Sequence, residues 1–229
     1  MILAHYQVNE DGSVNEQFLE EHLLNCGNIA FEIGKIIKLG SFMRIIAYLH
    51  DLGKADSRFQ QYVRGEERKQ VNHSSAGAKY FTDIFESFGE TNGWTYKSWF
   101  RCLIEVGQYA ILAHHGLFDV ITYDSSYRVK QRLEYDVLGS YNYNKDVVSF
   151  AESFNMHLIS SGLLSFEELV AMAAKEFESV FLTIVELAKA VPDPHLYKVN
   201  ARDSYPFYLS CLTRLILSIL KEADIYDSS

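Results

Sequence analysis

The sequence predicts an all-α fold, and three observations carry that prediction. Apolar residues recur at three- and four-residue steps over several long segments, the signature of helices with one buried face. No segment alternates apolar and polar residues convincingly, as a half-buried strand would. Only 3 prolines and 13 glycines interrupt 229 residues, 48% of them hydrophobic, which suits one core and a single domain over 1–229.

Each element follows in order. Phe18, Leu19, Leu23, Cys26, Ile29, Ala30, Ile33 and Ile37 place a helix over 16–39, with Gly40 as its stop. Residues 41–51 (SFMRIIAYLHD) form a second helix capped by Ser41 and ending near Gly53, and a short helix covers 56–64. Asn72 to Ser75 offer N-cap side chains for a helix through Phe88, with Ala78, Phe81, Phe85 and Phe88 inward. Residues 97–114 align Leu103, Gly107, Ala110 and Ile111 on one face. Residues 116–150 are the least regular, rich in Tyr, Ser, Asn and Asp, with room for a short helix at 126–136. A long helix over 165–190 carries Phe166, Leu169, Val170, Ala173, Phe177, Val180, Phe181 and Ile184. After the turn PDPH, the last helix begins near Pro206, whose fixed φ suits a first turn, and carries Leu209, Leu212, Leu215, Ile216, Ile219 and Leu220.

Cys26, Cys102 and Cys211 are far apart, odd in number and set in apolar helical patterns. They read as free buried thiols of a reducing compartment, not as a disulfide frame or zinc knot. The start, MILAHYQVNEDG, has neither a basic nor a long apolar leader region, and Leu209 to Leu220 reaches only about half the length of a bilayer-spanning helix. The expectation is a cytoplasmic protein with no membrane partner. The net charge of −9 argues against a free-standing, tight nucleic-acid binder, because Lys and Arg contacts to phosphate dominate that affinity. It does not exclude phosphate chemistry at a metal centre, where two divalent ions add roughly four positive charges locally.

The histidines carry the chemistry. His22 lies on the apolar face of the first helix, one turn from Phe18 and Cys26, where a lone histidine is more often a satisfied core residue. His50-Asp51 ends a helix and is followed by Leu-Gly-Lys; alone, the dipeptide is weak. His73 opens a helix, His114-His115 closes another, and Asp224 continues the ridge of Ile216 and Leu220 at steps of four. Each has a bland alternative: His73 beside an N-cap, His115 at the surface, Asp224 at a frayed end. Jointly they direct imidazoles and carboxylates inward from several helices, which is how a bundle builds a metal site. Buried carboxylates are otherwise rare.

The order His22, H-D-L-G-K (50–54), N-H-S-S-A-G (72–77), H-H-G (114–116) and A-D (223–224) resembles the HD superfamily. HDLGKADSRFQQY (50–62), HSSAGAKY (73–80), AILAHHG (110–116) and the closing SILKEADIYDSS narrow the resemblance further. They resemble the HD nuclease domain of the CRISPR-associated helicase-nuclease of type I interference systems. Glu222-Ala223-Asp224 stands where that family often has Asp-Ala-Asp, with the ligand position kept. The resemblance implies an HD-type bundle with a dinuclear metal site in its core, Asp51 bridging the ions. It assigns His22, His50 and Asp224 to one ion and His73, His114 and His115 to the other. The donor set suits Fe, Mn, Co or Ni, with Mg a further option, better than Ca. Asp51 is then catalytic through the metals, and Lys54 contacts a phosphate oxygen as a point charge.

Water activated at such a site attacks phosphorus in line, so no Ser or Cys nucleophile is required, and none is persuasive here. No G-x-x-x-x-G-K-[ST] occurs, so the family's helicase is expected on a following domain or a separate polypeptide. The implied partners are single-stranded DNA, that helicase and an RNA-guided CRISPR surveillance complex. Lys54 and Arg58 beside the motif, and Arg128 and Lys130 among Tyr123, Tyr127 and Tyr135, are candidates for gripping a strand. Charge runs on loops are more often solvated surface, and Asp56, Glu66 and Glu67 dilute the first group. Two other readings stand beside the nuclease: a nucleotide phosphohydrolase or cyclic-nucleotide phosphodiesterase with a closed pocket, and a non-catalytic metal-stabilised interaction module.

Overall fold

A computed structural model describes residues 1–68, 71, 73–116, 144–190 and 201–228. It opens on an element that the helical reading did not anticipate. β1 (Leu3–Val8) pairs antiparallel with β2 (Val14–Phe18), Leu3 opposite Phe18 and Val8 opposite Val14. The turn between them uses Gly12 at φ 83°, while Asp11 Oδ1 accepts hydrogen bonds from the amide and hydroxyl of Ser13. Neither strand alternates because the hairpin buries only its first residues, Leu3 and Ala4. Gln60 anchors it: its amide donates to the carbonyls of Leu3 and Lys54, at 2.9 and 2.7 Å, and its Oε1 accepts from Leu3 N.

The other described elements are helical, so the class is all-α. They are α1 (Leu19–Ile36), α2 (Gly40–Leu49), a 3-10 turn (Leu52–Ala55), α3 (Ser57–Val63) and α4 (Ser74–Thr91). Then come α5 (Ser98–Ala113), α6 (Lys145–Ser160), α7 (Phe166–Lys189) and α8 (Ala201–Ser228). The expected helix at 126–136 and the PDPH turn lie outside the described residues, as do Arg128 and Lys130. α6 was not foreseen; Asn144 starts it, its side chain accepting from the amides of Asp146 and Val147. α7 begins with a capping box between Ser165 and Glu168.

Several boundaries differ from expectation. α1 ends at Ile36, the left-handed residue after it is Lys38 (φ 60°), and Gly40 starts α2 where a stop was expected. Ser41 lies inside α2 and makes no cap; the residue before α4 is His73, also without a side-chain cap bond. Pro206 sits inside α8, which begins at Ala201. Only the first four amides of a helix lack intrahelical acceptors, so the proline, sixth in α8, costs the ladder one hydrogen bond. Cys26 and Cys102 are buried as expected, but Cys211 is exposed.

α1 packs on α2, α2 on α7, α4 on α5, and α8 closes over α1. Buried side chains from Ala4 to Ala223 form one apolar cluster that includes Leu23, Phe81, Leu103, Phe177, Ile216 and Leu220. Each large side chain removed from water contributes about 1.5–3 kcal/mol. Leu215, assigned inward by periodicity, is 43% exposed, because α8 contacts the bundle along the Leu212–Ile216–Leu220 ridge.

Two glycines bring the sequence motifs together. A Cβ on Gly53 would lie 2.1 Å from the His73 carbonyl oxygen, and one on Gly77 would lie 2.0 Å from that of Leu49. The turn after His50-Asp51 therefore sits directly against the start of α4. Gly77→Ala is expected to destabilise the protein by about 1–3 kcal/mol, because a backbone carbonyl cannot rotate aside. For a chain of this size that lowers the melting midpoint by about 2–4 °C per kcal/mol. An unchanged midpoint in thermal unfolding would contradict the close packing.

Candidate metal centre

The last turns of α2 and α5 present their histidines by the same device. His50 follows α2 with helical backbone angles and donates from Nδ1 to the Ala47 carbonyl at 2.7 Å. His114 follows α5 and donates from Nδ1 to the Ile111 carbonyl at 2.6 Å. Helix ends leave such carbonyls without intrahelical partners. Using them as acceptors fixes each ring and turns Nε2 toward the interior.

Asp51 lies where these rings converge, and it is fully buried. Its Oδ2 is 3.3 Å from His22 Nε2 and 3.4 Å from His50 Nε2. Its Oδ1 is 3.2 Å from His73 Nε2 and 3.3 Å from His114 Nε2. One oxygen thus faces each group of imidazoles. Asp224 Oδ1 completes the first group, 3.5 Å from His22 Nε2 and 3.7 Å from His50 Nε2. His115 completes the second, its Nε2 2.6 Å from that of His73. All seven residues singled out as ligands meet, in two sets whose donor atoms lie within 4.8 Å of one another.

The donors fit divalent cations. His50 Nε2, His114 Nε2 and Asp51 Oδ1 are buried without a hydrogen-bond partner among the described residues. An orphaned buried polar atom costs about 1–3 kcal/mol, and here several converge on the same space. Imidazole nitrogens as close as those of His73 and His115 need a cation or a shared proton between them. Mixed imidazole and carboxylate donors suit first-row transition ions.

Charge differs between the two sides. Burial opposes ionisation of Asp51, but the neighbouring His50, Lys54 and His73, with His114 Nε2 3.3 Å away, hold its carboxyl well below the usual range. At His22 burial disfavours protonation, yet the hydrogen bond to Asp227, with Asp51 and Cys26 close by, outweighs it and pushes the ring up to about 11. His115 keeps an exposed edge, but burial of the rest, with His114 and His73 as neighbours, pushes it down to about 3. Burial also lowers His73.

Lys54 is nearly buried, its Nζ 2.7 Å from Asp51 Oδ2 and 3.3 Å from Nε2 of His5. Arg58, also expected near phosphate, is half exposed and pairs with Asp56 at 3.4 Å. Asp56 itself is no diluting surface charge: it is fully buried, caps α3 by accepting from Arg58 N, and is bonded by Asn144 at the start of α6. His5 and Asp227 were missed. His5 comes from the unforeseen β1 and packs edge-on to His22, the rings 5.2 Å apart. Asp227 accepts from His22 Nδ1 at 2.7 Å; its spacing of three from Asp224 was the available signal.

A helical bundle that gathers histidines at helix ends around one buried aspartate is a scaffold for hydrolytic metal chemistry. The family model for the HD domain matches residues 19–138, a span containing His22, His50, Asp51, Lys54, His73, His114 and His115. The chain belongs to the HD domain family, whose chemistry is metal-dependent phosphohydrolysis. No curated protein and no solved structure matches it. Among the described residues no helix is long and apolar enough to cross a membrane.

Proposed function

We propose that the protein is a metal-dependent nuclease that hydrolyses phosphodiester bonds of single-stranded DNA in type I CRISPR interference. Residues 1–229 would form one nuclease domain, served by a helicase domain or subunit and an RNA-guided surveillance complex. The observation that supports this best is Asp51, buried, with one oxygen toward His22 and His50 and the other toward His73 and His114. The narrower choice of DNA rests on the HDLGKADSRFQQY, HSSAGAKY and AILAHHG segments.

His22, His50 and Asp224 would hold one divalent ion, His73, His114 and His115 the other, and Asp51 would touch both. Such ions supply Lewis acidity, lowering the pKa of water and neutralising phosphate charge. The protein's own contribution is orientation. His50 and His114 are locked by backbone carbonyls, and Lys54 keeps a charge beside Asp51 where a phosphate oxygen can replace part of its pairing. His22, His50 and His114 are buried, whereas His115 is exposed, so substrate approaches from the His115 side. An open approach suits a polymer, and the net charge of −9 leaves delivery of the strand to a partner.

The test is incubation of manganese-loaded protein with circular single-stranded DNA and, separately, with nucleotides and cyclic nucleotides. DNA is expected to be cut, and Asp51→Ala to be inactive. Turnover of nucleotides with the circle left intact would overturn the assignment.

A further inference from the structure

The His22 side of the centre has a second carboxylate layer. Asp227 follows Asp224 by three residues on α8, so one turn carries both toward the same helix face. They take opposite edges of one ring. Asp224 Oδ1 is 3.5 Å from His22 Nε2, while Asp227 Oδ2 is 2.7 Å from His22 Nδ1.

Asp227 is itself held. Gln17 of β2 donates from Nε2 to Asp227 Oδ2 at 2.7 Å and to its carbonyl at 3.2 Å. Only 7% of the Asp227 side chain is exposed, so these bonds form where water competes weakly. The neighbouring Ser228 hydroxyl lies 3.2 Å from Nε2 of His5. The hairpin, α1 and the end of α8 therefore meet around His22.

His22 needs this help where His50 and His114 do not. They sit at helix C-termini and bond the carbonyl three residues back. His22 lies inside α1, where those carbonyls serve the helix ladder. The Cys26 thiol beside the ring donates to the Ala223 carbonyl, leaving Asp227 as the acceptor for Nδ1.

We propose that Asp227 is a positioning residue for the ion held by His22, His50 and Asp224: it accepts the Nδ1–H hydrogen bond of His22, which leaves Nε2 to face the ion, and Gln17 of the hairpin holds it in place. This rests on the metal-centre reading above. A carboxylate behind a ligating imidazole fixes its tautomer and raises its basicity, and losing it typically costs ten- to a hundredfold in metal affinity. The effect is specific to one side, because His73, His114 and His115 do not depend on Asp227.

The test is calorimetric titration of Mn²⁺ into metal-free wild type, Asp227→Ala, Asp227→Asn and Gln17→Ala. Ring nitrogens are followed in parallel by long-range ¹H–¹⁵N spectroscopy of the Zn²⁺-loaded proteins. Wild type is expected to bind two ions. Asp227→Ala is expected to lose about ten- to a hundredfold in affinity for one ion only. Asp227→Asn should recover part of the loss, since its amide oxygen still accepts, and Gln17→Ala should show a smaller loss for the same ion. The Nδ1-protonated signal of His22 should weaken in Asp227→Ala. Two ions bound with wild-type affinities, an equal loss of both, or an unchanged His22 signal would overturn the proposal. A wild type that binds no ion pair would overturn the metal-centre reading, and this inference with it.

Discussion

Asp51→Asn is expected to lose both metal ions and about a thousandfold in turnover while keeping the helical fold. Among the described residues the Asp51 carboxylate is the one group that faces both sets of imidazoles, so its neutral isostere weakens both at once. Each 1.36 kcal/mol of lost transition-state stabilisation is about tenfold in rate, so a thousandfold loss corresponds to about 4 kcal/mol. The same substitution strands Lys54, whose nearly buried ammonium lies 2.7 Å from Asp51 Oδ2. Metal-free Asp51→Asn should therefore unfold at lower denaturant than wild type. Adding Lys54→Met removes the stranded charge, and the double variant should recover stability but not activity. That non-additivity separates chemistry from folding. A double variant as unstable as Asp51→Asn would mean that Asp51 supports the core by another route.

The second large effect is expected on loading the metal-free protein. An ion at a thousand times its dissociation constant adds about 4.1 kcal/mol of stability. At about 2–4 °C per kcal/mol, one ion raises the midpoint by roughly 8–16 °C. The pH dependence should differ between the two sides. His22 keeps its proton up to about 11 in the metal-free site, so an ion there must displace it. His22 should contribute about one released proton at pH 7, and binding on that side should tighten as pH rises. His73 and His115 are held below the ordinary histidine range, His115 at about 3, so they are already neutral at pH 7. Those two rings should contribute almost no proton to binding on their side. Calorimetry in buffers of differing ionisation enthalpy counts the protons; equal release at both steps would contradict this division.

These effects rest on a site that the sequence displays well and a frame that it displays less well. The seven converging residues were legible because each lies on a stripe of fixed period or at its end. His22 shares a face with Cys26, and Asp224 continues Ile216 and Leu220. Hairpin residues were not legible because a strand that buries only Leu3 and Ala4 leaves no period of two. Hence His5 and Gln17 stayed hidden, though they touch Lys54 and Asp227. Helix starts were misplaced where the expected capping side chain was not used: Ser41 points inward from within α2, and the chain turns at Lys38. Asp56 shows the same weakness of local reading. Among nearby charges it looked like surface; its cap bond from Arg58 N is local, but the contact that reaches it from Asn144 is tertiary and has no local signal. Composition and periodicity locate what a helix buries; they do not show which buried polar group holds which neighbour.

The most direct test of the proposed two-ion centre is anomalous diffraction from crystals of the manganese-loaded protein. Two peaks are expected, one among His22, His50 and Asp224 and one among His73, His114 and His115, with Asp51 between them. No peak beside Asp51, or ions bound only elsewhere, would contradict the account.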